Sequence, residues 1–310
     1  MMSPIIKYWE NFMQKKDFLL AVIITFVWGI NFSIIKLGLI SLNPFMLSGL
    51  RFLLCAIPLI FFIKKPNVSM VYIASYGLIF GVGLWGMVSL GIYFGISAGV
   101  ASLVLQLSAF FTVILGAIVL HEKIQLHKKL GFVTALAGIA FIISITDGTV
   151  TYLGLSLVLV GAISWSVANV IVKKAGTKEV FAFLIYSSIF SPIPLFLLAY
   201  LTQGDVVFVN FFENLDGRAI FSVLFQVYPT TLMGYWVWNS LLHKYPASSV
   251  APLSLLVPIF GLLGSYFVFN EPIGSLKIIA CVLIILGLVI NTFGGNFQFK
   301  RVFGKGRDIG

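Results

Sequence analysis

The chain has 310 residues, 60% of them hydrophobic and only 10% charged, with a mean hydropathy of +1.07 and a formal net charge of +10. Soluble domains carry about 25% charged residues, so this composition cannot cover a water-exposed surface, and a soluble globular class is excluded. The basic excess does not form a nucleic-acid face either, because the lysines and arginines sit in short stretches between apolar runs.

Residues 1–17 are polar and aromatic, carry Lys7, Lys15 and Lys16, and read as a cytoplasmic N-terminal segment. The apolar run that follows is too long for a signal peptide and lacks a small-residue cleavage site, so it is expected to stay as the first span. Apolar runs predict spans at roughly 18–40, 45–63, 70–94, 98–120 and 129–145 in a first half. A second half gives roughly 152–172, 180–202, 219–242, 249–270 and 275–294, followed by a basic tail at 295–310. At about 1.5 Å per residue each is long enough for roughly 30 Å of hydrocarbon. The expected fold class is therefore all-α, with ten transmembrane helices.

Orientation follows from the loops, since Lys and Arg are retained on the cytoplasmic side. An internal N-terminus puts Lys64, Lys65, Lys123, Lys128, Lys129, Lys173, Lys174, Lys178, Lys244 and the tail's Lys300, Arg301, Lys305 and Arg307 inside. Arg218 and Lys277 alone fall outside, where Asp147, Asp205, Glu213, Asp216 and Glu271 gather. Both termini are expected in the cytoplasm. Cys55 and Cys281 lie within spans and offer neither a disulfide framework nor metal-ligand spacing. No metal or cofactor is expected.

The halves repeat. Trp28 to Lys36 reads WGINFSIIK and Trp165 to Lys173 reads WSVANVIVK; further on, Glu122 stands opposite Glu271. With an odd number of spans per half, the second half (152–294) enters the membrane from the side opposite the first (18–145). That is an inverted repeat, in which one half rocks against the other about a central site.

The segments WGINFSIIKLGL (28–39), LSGLRFLL (47–54), ASLVLQLSAFFTVILGA (101–117) and APLSLLVPIFGLL (251–263), with Glu271 beyond, resemble the EamA branch of the drug/metabolite transporter superfamily. The resemblance covers about 18–294. It implies a ten-helix fold with a central cavity, a multi-pass protein of the bacterial inner membrane, and efflux of small amino acids or derivatives such as cysteine and O-acetylserine, with room for a homodimer.

Polar groups inside spans are costly and hence candidates for function. Lys36 and its repeat mate Lys173 lie near span ends and are expected to snorkel to headgroups. Arg51 differs: its repeat position holds Ser187, and it stands roughly 9 Å inside span two by helical rise. It reads either as a bidentate clamp for a substrate carboxylate or as a structural arginine bonded to backbone carbonyls. In span eight, Tyr228, Thr231, Tyr235 and Asn239 recur at helical spacing and are expected on one face lining the cavity. Trp85 joins them from span three. On span four, Ser102, Gln106 and Phe110 step by four, toward the cavity or toward interhelical bonding. Asn31, Trp165 and Asn169 occupy similar depths in the two halves, although core packing also accounts for a tryptophan there.

Pro252 and Pro258 of span nine free the carbonyls of Ser248 and Ser254, making either a gating bend or a static kink. Glu122 and Glu271 read as loop and capping residues. No Asp or Glu lies in a span core, and His121, His127 and His243 fall in cytoplasmic loops. Facilitated efflux or exchange is therefore favoured over proton antiport. A drug exporter of the same fold is the alternative, and it would want a membrane carboxylate that this chain lacks. No motif supports an enzyme.

Overall fold

Inside hydrocarbon, backbone N–H and C=O groups must be satisfied within the chain, and helices do so locally. The computed structural model describes residues 13–121, 123–145 and 147–303, with side chains for all of these except 120, 247, 248 and 295–303. Residues 1–12 with Lys7, Glu122, the end of the basic tail with Lys305 and Arg307, and the side chains of Ser248, Lys300 and Arg301 lie outside what is described. Among the described residues every regular element is helical.

The long runs, in order, are α1 (Lys15–Gly38), α2 (Pro44–Ala56), α3 (Met70–Tyr93), α4 (Ala98–Val119), α5 (Leu126–Ile143), α6 (Tyr152–Ala175), α7 (Val180–Gln203), α8 (217–244), α9 (Ala251–Phe269) and α10 (Ser275–Phe303). Among the described residues, nine helices are long and apolar enough to cross a membrane. The run α8 is not one of the nine: Arg218, Gln226, Thr230, Thr231 and Asn239 dilute its hydropathy.

Several runs are irregular, and the irregularities recur five helices apart. In α3 an eight-residue π turn spans Ile79–Gly86; in α8 another spans Gln226–Met233. The run α4 breaks at Gln106 between Ala98–Leu105 and Ser108–Leu120, while α9 opens as a 3-10 turn, Ala251–Leu256, before Val257–Phe269. Pro252 starts that 3-10 turn and Pro258 starts the α-helical part, where a missing N–H costs least. Both α4 and α9 end on a left-handed residue, His121 (φ 55°) and Asn270 (φ 53°).

Packing follows the same rule. Helix α1 lies on α9 and α8; α6 lies on α4 and α3; α5 pairs with α10, and α2 with α7. Small residues allow the close approaches, as in membrane helix pairs generally. A Cβ on Gly29 of α1 would come within 2.5 Å of Phe260 Cβ and 2.6 Å of the Val257 carbonyl of α9, and one on Gly261 within 2.1 Å of Ser102 Oγ of α4. In α5 and α10, Gly131 faces the Gly287 carbonyl and Gly287 faces that of Gly131.

Ion pairs tie the ends. Asp17 in the first turn of α1 accepts from Lys244 Nζ (2.6 Å) and Tyr245 Oη (2.6 Å) at the end of α8. At the opposite end of α1, Lys36 pairs with Glu271 beyond α9 and lies 4.6 Å from the Phe269 ring. Lys36, expected to reach toward headgroups, also ties α1 to the loop after α9. Glu271 stands in the loop after α9, as expected, and from there accepts from Lys36. Lys277 is buried, bonded to Asp147 (3.0 Å) and the Pro272 carbonyl (2.7 Å). Asp216 caps α8 by accepting from Ala219 N (2.9 Å) and holds Ser41 Oγ (2.9 Å) of the α1–α2 turn.

Replacing Gly29 by Ala forces α1 off α9 against backbone atoms and is expected to cost about 1–3 kcal/mol. Thermal unfolding in detergent checks this, with Gly217→Ala, which meets nothing within 4 Å, as the neutral control. The amide of Ala219, the Ser41 hydroxyl and Arg218 hold the Asp216 carboxyl below the usual range. A depressed carboxylate stabilises the fold above its unfolded pKa of about 3.9 and loses that contribution as pH falls further. Asp216→Asn should therefore flatten the acid limb of stability below about pH 4 and lower Tm at neutral pH.

Candidate functional site

The site is built around Pro229. A proline inside a helix lacks its N–H and collides with the carbonyl four residues back. In α8 the helix widens to a π turn around it, and such turns leave backbone groups for side chains to use. Thr231 Oγ1 donates to the Gln226 carbonyl at 2.7 Å. With its proton committed, the same oxygen accepts from Arg51 Nε (3.1 Å) and Nη2 (2.9 Å) of α2. Beside it Thr230 Oγ1 donates to Asn31 Oδ1 of α1 (3.1 Å), and the Thr230 carbonyl accepts from Trp28 Nε1 (2.9 Å).

The second π turn supplies the floor. It carries Trp85, whose ring lies 4.1 Å from the Arg51 guanidinium carbon, within cation–π range. Phe32 and Phe80 flank Trp85 at 6.2 and 6.5 Å, and Tyr235 reaches Phe80 at 6.2 Å and Trp28 at 5.6 Å. Arg51 and Asn31 are fully buried.

Three buried polar atoms around these turns have no partner: Asn31 Nδ2, Arg51 Nη1 and Trp85 Nε1. All three are donors. Buried donors are nearly always matched, and here three on three helices around one residue pair are left able to meet an acceptor. Arg51 forms no ion pair with a carboxylate among the described residues.

Asn31, Arg51, Trp85, Thr231 and Tyr235 are therefore brought together. The remaining predicted residues lie elsewhere. Tyr228 is half exposed (52%), on a different face from Thr231, because the wider π turn spoils the three-to-four spacing on which a single face was expected. The stepping Ser102, Gln106 and Phe110 diverge at the α4 break: Ser102 packs on Gly261, Gln106 Nε2 donates to the Ser254 carbonyl of α9 (3.4 Å), and Phe110 packs on Phe132 of α5 (5.7 Å). That Ser254 carbonyl is one of those expected from the prolines of α9. Trp165 is partly buried against the core, and Asn169 is exposed, with Nδ2 donating to Thr112 Oγ1 (3.2 Å).

Asn239 has an unpartnered Nδ2 and lines a cavity of about 350 Å³ with Lys178, Glu179, Trp236 and His243. A smaller cavity, about 220 Å³, lies at the opposite end of α2, lined by Ser41, Asn43, Tyr93 and Gln203. Sequence reasoning missed the aromatic wall of Tyr76, Phe80 and Phe183, with Tyr76 centred 5.0 Å from each of the other two. The four-residue step from Tyr76 to Phe80 was the available signal.

Apolar helices that wall in unmatched donors, with cavities toward both ends, are the build of a multi-pass membrane transporter of small molecules. The chain belongs to the EamA-like transporter family, whose model matches it twice, over residues 15–144 and 152–293. It is 37% identical over 288 residues to the "Probable amino-acid metabolite efflux pump" of Escherichia coli (strain K12), across 91% of this chain and 96% of that one. A protein of the same description in Salmonella typhimurium is 37% identical over 295 residues, across 93% and 98% of the two chains. A solved crystal structure at 16% identity shares the fold with a TM-score of 0.58, over 94% of this chain and 100% of its own.

Thr231→Val is isosteric but removes the acceptor for two Arg51 donors. The expected loss is about 1.5–3 kcal/mol, the range for a hydrogen bond to a charged group. Thermal unfolding should register it, with Thr231→Ser close to the parent and Tyr228→Phe unchanged.

Proposed function

We propose that the chain exports small amino acids or amino-acid metabolites, of the cysteine and O-acetylserine kind, across a bacterial inner membrane. The observation that carries this reading is the set of three unmatched donors on Asn31, Arg51 and Trp85, which suits a substrate carboxylate. A planar guanidinium with one face on Trp85 and one edge on Thr231 keeps its Nη1 edge for a ligand oxygen. Tyr235 and Phe80 offer rings to the substrate's apolar body. The described relatives are named as efflux pumps for amino-acid metabolites, which supports the substrate class.

The transport cycle is alternating access between two inverted five-helix halves, 18–145 and 152–294, with α8 as the tenth crossing and both termini in the cytoplasm. Support comes from the double family match, the paired π turns, the paired left-handed ends and packing that recurs five helices along. The cavity at Lys178, Asn239 and His243 is then the cytoplasmic approach, and the one at Ser41 and Gln203 the outer exit. The 3-10 segment between Pro252 and Pro258, held to α4 through Gln106, is the place where α9 bends during exchange.

A panel of radiolabelled amino acids and their O-acyl derivatives, counterflowed in proteoliposomes, tests the reading. Wild-type protein should move a small carboxylate-bearing subset. Arg51→Ala should reduce that flux about 10- to 100-fold, the equivalent of one charge-assisted hydrogen bond. Correctly inserted Arg51→Ala protein running at the wild-type rate would rule out the clamp.

A further inference from the structure

The charge around the clamp does not balance. Arg51 is permanently protonated and fully buried, and among the described residues its hydrogen-bond partner is the neutral Thr231 hydroxyl. Among the described residues no Asp, Glu or His lies in the interior of any span. Asp17 is in the first turn of α1, bonded to Lys244, and Glu271 is past α9, bonded to Lys36. A zwitterion docked by its carboxylate on Arg51 would neutralise the guanidinium but bring an ammonium with no counter-charge. The net buried charge would remain +1.

Aromatic faces do not supply the missing acceptor. Arg51 already occupies the face of Trp85, Tyr76 and Phe80 are stacked on each other at 5.0 Å (15° between planes), and Phe80 meets Tyr235 and Phe52 edge to face. The unmatched atoms on Asn31, Arg51 and Trp85 are donors, which an ammonium cannot use, and a hydroxyl could accept from it without balancing its charge.

Resting on the carboxylate reading above and narrowing its cargo, we infer that a monoanion is preferred over zwitterions such as cysteine and O-acetylserine: an amino-acid derivative whose amino group carries no charge, as in an N-acyl amino acid. Such a ligand leaves the loaded site neutral, the condition under which a buried charge is least costly to carry through the membrane. It also supplies a driving force without any titratable group in the path. A cell interior negative by about 100 mV favours outward movement of a monovalent anion about 50-fold at equilibrium. Export then needs no proton coupling, in keeping with spans that lack a carboxylate or imidazole in their interiors.

Proteoliposomes preloaded with labelled L-serine or N-acetyl-L-serine, with valinomycin and potassium setting the potential, test this directly. The N-acetyl compound should leave faster than serine at zero potential. An inside-negative potential should accelerate it several-fold and leave serine efflux unchanged. Serine leaving faster, or N-acetylserine flux indifferent to potential, would overturn the inference. Serine moving alone would do so while preserving the transport reading, and neither moving would sink both. Arg51→Gln should abolish N-acetylserine flux, with Arg51→Lys restoring part of it; if the glutamine variant fails to fold, the wild-type comparison still decides.

Discussion

The structure is organised around one expensive group, the guanidinium of Arg51. It cannot lose its proton, and an unpaired ion deep in an apolar interior carries a penalty of several kcal/mol even after relaxation. Everything near it reduces that penalty without abolishing it. Thr231 satisfies two of its donors, Trp85 presents an electron-rich face, and the third direction is left open. The group is thus nearly but incompletely matched within the chain.

The two π turns make this arrangement possible. In α8 the Gln226 carbonyl stands five residues before Thr231, one π turn back. The widened turn puts the Thr231 hydroxyl on that carbonyl, so that its lone pairs face Arg51. The matching turn in α3 brings Trp85 beneath the guanidinium, with Gly81, Gly83 and Gly86 in the same stretch letting the backbone approach α6 and α7; a Cβ on Gly81 would lie 2.2 Å from Ser191 Oγ, and one on Gly83 2.7 Å from Ser164 Oγ. Irregular backbone is tolerated in such a bundle only where protein buries it, and here the burial is also the site.

Around this centre the helices are held in two ways. Gly-mediated contacts such as α1 on α9 and α5 on α10 are rigid, because backbone meets backbone. The ties at the ends, Lys36 with Glu271 and Lys244 with Asp17, are polar and partly exposed, so water can replace the partner when helices separate. The glycine-mediated pairings and the polar ties thus occupy different places along the helices.

Much of the architecture was legible in the residues, because hydrophobicity and helix length are local properties. Nine of the apolar runs and the buried charge of Arg51 could be read from spacing and charge; the Ser254 carbonyl, expected to be freed, accepts both the Val257 N–H and Gln106 Nε2. The face of α8 could not. Helical spacing placed Tyr228 beside Thr231, but Pro229 between them changes the turn, and only neighbours that stabilise a π turn decide whether a proline kinks, widens or ends a helix. The partner of Lys36 was hidden for a related reason: whether a lysine near a span end meets an acid depends on what stands across from it, and Glu271 is more than two hundred residues away. The sequence by itself determined that this chain lives among lipids as apolar helices in two similar halves, since composition and period suffice for that. Which donors converge, and that they converge without an acceptor, was decided by tertiary packing alone, because matching is a property of pairs that the chain brings together only when folded.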